Sequence, residues 1–132
     1  MRQINQTKIF VSAERHDETE TENQHRSTDL HAKLENAGYS FRYVDGCYSA
    51  AFETAFCVFA TPGQILDTID DVVTLAREFQ QDTVLVVHGD NAAELVAVNT
   101  TCSAIIGTFQ TVEHPEPGED CTIADGIYYV VR

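Results

Sequence analysis

The chain has 132 residues, and its 21 acidic against 8 basic side chains give a formal net charge of −13. That length supports one domain around one core, and 43% hydrophobic content excludes a disordered chain. The negative field argues against nucleic acid or an anionic membrane as a partner and attracts cations, although a small, very acidic protein can also imitate DNA. No apolar run reaches membrane-spanning length, and the first ten residues lack the apolar core of a signal peptide, so a cytoplasmic protein is expected. Cys47, Cys57, Cys102 and Cys121 are irregularly spaced, with no C-x-x-C pair or zinc spacing, and are expected as free thiols.

Lys8-Ile9-Phe10-Val11 reads as a first strand. The stretch 13–26 has almost no apolar residue and reads as an acidic mobile loop. Its His16, Asp17 and His25 lack the framed spacing of a metal site, so no metal is expected. Ser27-Thr28 then caps a helix with Leu30, Leu34 and Ala37 on one stripe and Gly38 at its end. Tyr39 to Val44 alternates like a half-buried strand, Asp45-Gly46 reads as a turn, and Phe52 to Ala60 is the returning strand.

Thr61-Pro62-Gly63-Gln64 reads as a helix start, with Thr61 as N-cap and Pro62 at the first helical position. Ile65, Ile69, Val72, Val73, Ala76 and Phe79 follow at helical spacing, leaving Asp67, Asp70 and Asp71 in solvent. Thr83 to Val87 has the apolar continuity of a central strand. His88 to Asn91 turns the chain into a strand over 93–98, and an extended stretch over 103–112 is broken by Gly107. After a loop over 113–120, residues 121–123 and 127–131 form a hairpin. The order β-α-β-β-α-β plus further strands is the ferredoxin-like, α+β pattern, an antiparallel sheet with two helices on one face. Residues 1–132 read as one such domain.

The chemistry concentrates at Gly46-Cys47-Tyr48, followed by Glu53 among Ala51, Phe52, Ala55 and Phe56. A lone carboxylate among apolar neighbours needs a hydrogen bond or a charge partner, and the tyrosine hydroxyl is a natural one. A Tyr–Glu bond that merely closes a turn explains the pair as well as a catalytic role does. His88, before a glycine, reads as a turn residue.

Val11-Ser12-Ala13 with Arg15, Asp45-Gly46-Cys47-Tyr48, Leu75-Ala76 with Gln81-Asp82 before Val84-Leu85-Val86, Gly107 with Phe109-Gln110-Thr111-Val112, Gly118, and Cys121-Thr122-Ile123 occur in order. In these stretches the chain resembles the bacteriophage S-adenosylmethionine lyases, long called S-adenosylmethionine hydrolases. The resemblance implies a PII-like homotrimer in the infected host's cytoplasm. It would have clefts between subunits and cleave S-adenosylmethionine (SAM) against restriction–modification systems. It requires no cofactor. It assigns Tyr48 and Glu53 as catalytic, although the spacing between them is shorter than in some relatives. Ser12, Ala13, Arg15 and Gly46 fall near the substrate, and Glu94 is a second acidic candidate. Phe52 and Phe56 could wall the adenine, although aromatics in strands more often belong to the core. A water-using hydrolase, a non-catalytic PII-like binding module and an acidic DNA mimic are the alternatives.

Overall fold

The computed structural model describes residues 6–48 and 51–132. The first five residues, part of the stretch read as lacking a signal peptide, lie outside the described residues, as do positions 49 and 50 between Tyr48 and Glu53. Ten elements follow in the order β1 (Lys8–Val11), α1 (Glu20–Asn36), β2 (Ser40–Tyr48), β3 (Ala51–Phe59), α2 (Ile65–Glu78), β4 (Thr83–Val87), β5 (Ala92–Ala97), β6 (Ser103–Val112), β7 (Cys121–Ala124) and β8 (Ile127–Val131).

The strands close into an antiparallel barrel in the order β1-β3-β2-β7-β8-β6-β5-β4. This overturns the open ferredoxin-like, PII-like sheet expected from the element order. Closure rests on β1, which pairs with β3 through Phe10↔Cys57 and with β4 through Phe10↔Leu85. It rests also on β6, which pairs with β5 through its first half and with β8 through Phe109–Val112. A register shift opposite Ala93 and Glu94 bends β6 between those halves. Gly107 sits at that shift with φ 153°, and a Cβ there would meet the Arg132 carbonyl oxygen at 2.9 Å. Only glycine fits.

Strand alternation divides the apolar residues between two cores. Phe10, Val44, Ala55, Cys57, Val87 and Phe109 fill the barrel. Ile9, Val11, Phe56, Val58, Val84 and Val86 face outward and are covered by Leu30 and Leu34 of α1 and Val72, Val73 and Ala76 of α2.

Three local readings are corrected. The stretch 13–26 is not all loop, because α1 begins at Glu20 with Thr19 as N-cap, whose side chain accepts from the Glu22 N–H. Ser27 is therefore a buried residue within the helix, not its cap. Thr61 to Gln64 is a closed turn, its Gln64 N–H donating to the Thr61 carbonyl at 2.8 Å, so α2 starts one residue after Gln64. Asp45 and Gly46 lie inside β2, paired with β3 on one side and β7 on the other.

Candidate active site

At the end of the barrel where β1, β2 and β8 finish and β3, β4 and β7 begin, a cleft of about 970 Å³ opens. One wall is polar, with Ser12, Glu14, Arg15, His16, Tyr48 and Glu53; the other is apolar, with Leu85, Leu95, Ile106, Phe109 and Tyr129. Phe109 and Tyr129 stack, ring centroids 5.1 Å apart and planes within 7°.

The loop after β1 supplies much of the polar wall and is tied down on all sides. The Ser12 hydroxyl donates to the Thr54 carbonyl at 2.9 Å and accepts from the Glu14 N–H at 3.1 Å. Glu14 in turn accepts from the Thr54 N–H at 3.1 Å, which fixes its carboxylate beside Glu53. Asn23 of α1 brackets Arg15, accepting from its N–H at 2.9 Å and donating to its carbonyl at 3.0 Å. The Gln81 side-chain amide donates to the Glu14 carbonyl at 3.0 Å.

Across three strands runs one row of partners: Glu53 of β3 opposite Gly46 of β2, and Gly46 opposite Thr122 of β7. Tyr48 folds back over this row. A Cβ on residue 46 would lie 2.4 Å from Tyr48 Cε2, so glycine here is what admits the ring. The Tyr48 hydroxyl lies 3.4 Å from Thr122 Oγ1. Burial pushes the phenol pKa up, and the bond to Thr122 opposes that shift. Glu53 is pushed up to about 7 by burial first and the Glu14 carboxylate second, with His16 pulling it down. A buried carboxyl pushed toward neutrality in a cleft is a candidate functional group.

Tyr48, Glu53, Ser12, Arg15 and Gly46 thus come together, the first four lining the cleft. The hydroxyl of Ser12 is engaged by backbone, and Arg15 pairs with Asp17 at 3.0 Å and donates to the Gln80 carbonyl. Ala13 is fully buried in the core under the helices, its carbonyl accepting from Arg26. Phe56 is fully buried in the same core, and Phe52, 72% exposed, edges a shallow groove beside the cleft. Glu94 projects from the outer face, 2.7 Å from His88 Nε2 and accepting from Ser103 at 2.5 Å, which hold its pKa down. Reading the sequence passed over Glu14, Thr122, Phe109 and Tyr129 as site residues. Glu14 stands in Ser-Ala-Glu-Arg directly after β1, and Thr122 in Cys-Thr-Ile, but neither spacing reveals which carboxylate or strand it faces.

The site is thus a cleft at the end of a small antiparallel barrel, lined by carboxylates and a tyrosine together with apolar side chains, the make-up of a small-molecule site. The model of the S-Adenosylmethionine lyase family matches residues 9–132, and the chain belongs to that family. It is an S-adenosylmethionine lyase, an enzyme with SAM as its substrate. No curated protein matches the chain. Among the described residues, no helix is long and apolar enough to cross a membrane.

Proposed function

We propose that the enzyme cleaves SAM to methylthioadenosine and L-homoserine lactone. The methionine carboxylate attacks the γ-carbon, the carbon–sulfur bond breaks, and its electron pair stays on sulfur as the thioether. No proton is transferred, so neither a base nor a water is required. Well-oriented intramolecular attack reaches effective molarities on the order of 10⁵–10⁸ M, which leaves the protein to fold the substrate and exclude water.

The observation that carries this reading is the carboxylate pair beside Tyr48 at the mouth of a cleft with an apolar wall. Sulfonium and carboxylate charges cancel as the lactone forms. A protein carboxylate against sulfur would therefore hold the ground state more tightly than the transition state and slow the reaction. Glu53 serves better on the substrate ammonium or ribose hydroxyls, with Tyr48 orienting the folded methionine chain. Phe109 and Tyr129, with Leu95 and Ile106, suit the adenine better than Phe52 or Phe56 do.

The assembly we infer is a homotrimer with clefts completed by a neighbour, acting against restriction in the cytoplasm of a phage-infected bacterium. Supporting association between copies, the first half of β6 pairs with β5 alone among the described strands and exposes Ile105 (60%) and Ile106 (49%).

Incubation with SAM in ¹⁸O-labelled water, read at early times by mass spectrometry, tests the chemistry. Unlabelled homoserine lactone with methylthioadenosine is expected. Labelled homoserine with no lactone at the earliest times would overturn intramolecular attack in favour of a water nucleophile.

A further inference from the structure

We propose that Thr122 is a positioning residue for the lyase reaction, its hydroxyl fixing the tip of the Tyr48 ring while Gly46 admits the ring's edge. This inference rests on the reading of Tyr48 as the group that touches substrate.

Thr122 is 4% exposed, and its position on β7 is set by the pairing of Gly46 with Thr122 and of Cys47 with Cys121. Threonine is the one β-branched residue with a hydroxyl, and β-branching stiffens its χ1. Its oxygen is therefore delivered to one place by the strand rather than by a mobile side chain. The Tyr48 ring is fixed at two points. Its Cε2 edge rests where a Cβ on residue 46 would intrude at 2.4 Å, and its hydroxyl meets Thr122 Oγ1 at 3.4 Å. That separation is long for an O–H···O bond, and the hydrogen bonds of catalytic groups often tighten only in the substrate complex.

Either hydroxyl can donate across this contact, and the positioning role requires the threonine to be the donor. A threonine hydroxyl donating to the phenolic oxygen leaves the phenolic proton free to donate into the cleft. The reverse sense would turn the phenolic proton away from the substrate and toward β7. Glu53 flanks Gly46 on the opposite side of the row, across from Thr122, and its charge acts on the phenol. Thr122 touches no reacting atom in this account; it acts through Tyr48.

A double-mutant cycle on the intact enzyme tests this. Thr122→Val keeps the β-branched shape and removes the hydroxyl. It is expected to lower kcat about tenfold, the order of one hydrogen bond, with KM within about twofold. Thr122→Ser should recover most of that loss. Tyr48→Phe should impair turnover by itself, and adding Thr122→Val to it should cost nothing further. If Tyr48→Phe is impaired but Thr122→Val lowers kcat by the same factor in both backgrounds, Thr122 does not act through the phenol and the inference fails. Wild-type turnover by Tyr48→Phe would instead remove the reading of Tyr48, and the inference with it. Should the valine variant not fold, Thr122→Ala completes the same cycle. A separate readout is tyrosinate absorbance near 295 nm: loss of the Thr122 hydroxyl should move the Tyr48 ionisation to higher pH, and an unchanged titration would count against the contact.

Discussion

Glu53→Gln should stabilise the folded protein at alkaline pH while damaging the enzyme. The carboxyl has an ordinary pKa of 4.5 and is pushed up to about 7 by burial and by Glu14. The folded state therefore binds more protons than the unfolded chain between those values, and stability falls as pH rises through that window. Above pH 7 the whole penalty is present; below 4.5 both states are protonated and it vanishes. At about 1.4 kcal/mol per pH unit the ceiling is near 3 kcal/mol. Solvent screening of this half-buried group reduces it to roughly 1–2 kcal/mol. Glutamine has the same shape and no charge to desolvate. Urea unfolding of both proteins at equal concentration, at pH 5 and pH 8, should give a gain of that size at pH 8 and little at pH 5. In thermal scans it corresponds to roughly 4–8 °C for a domain of this length. A variant that is no more stable at pH 8, or equally stabilised at both pH values, would refute the claim that the site strains a carboxyl. Stabilisation with lost turnover is the signature of a site held away from its stability optimum.

Three other outcomes follow from the fold. Phe56→Ala should cost about 3–5 kcal/mol because its ring is fully buried between barrel and helices, whereas Phe52→Ala, at an exposed position, should change stability by less than about 0.5 kcal/mol; urea midpoints separate the two. Thr19→Ala should cost about 1 kcal/mol by removing the cap on Glu22 N–H. Hydrogen exchange should then be faster over the first turn of α1, Glu20 onward, and unchanged in β1.

The extent of most strands was legible because alternation and turn residues are local; β2 was the exception, running on to Tyr48 through Asp45-Gly46, which reads as a turn. Residues 121–124 and 127–131 pair about Asp125-Gly126 as their spacing required. Closure was not legible, because nothing within Ser103–Val112 states that its two halves serve different partners; only Gly107, facing the Arg132 carbonyl, carries that information. The start of α1 was missed for a different reason. Its first turns bury almost nothing, so the periodic signal is weak there, yet Thr19-Glu20-Thr21-Glu22 has the capping-box spacing. At the site, Tyr48 and Glu53 were reachable from a tyrosine near a lone carboxylate. Their connection through Gly46 depends on register: the glycine is the middle of a three-strand row and not a turn. Phe52 and Phe56 show the same limit, since both fall on the outward parity of β3 while Glu53 and Ala55 face the cleft.

Burial first, and the neighbouring Glu14 carboxylate second, push the Glu53 pKa up to about 7. A cationic group bound against Glu53 opposes both causes by favouring the ionised form. SAM, with its ammonium and sulfonium, should therefore bind better as pH rises and Glu53 ionises, and binding should release a proton. With a free-enzyme pKa of about 7, the ionised fraction climbs roughly tenfold between pH 6 and pH 8, so KM should fall by that order across the range. Methylthioadenosine has neither charge, and its inhibition constant should stay flat over the same interval. Replacing Glu14 by glutamine removes the second cause of the upward shift, so the midpoint of the KM profile should move to lower pH. A KM independent of pH, or an equal slope for the uncharged product, would mean that Glu53 does not face the cationic part of the substrate.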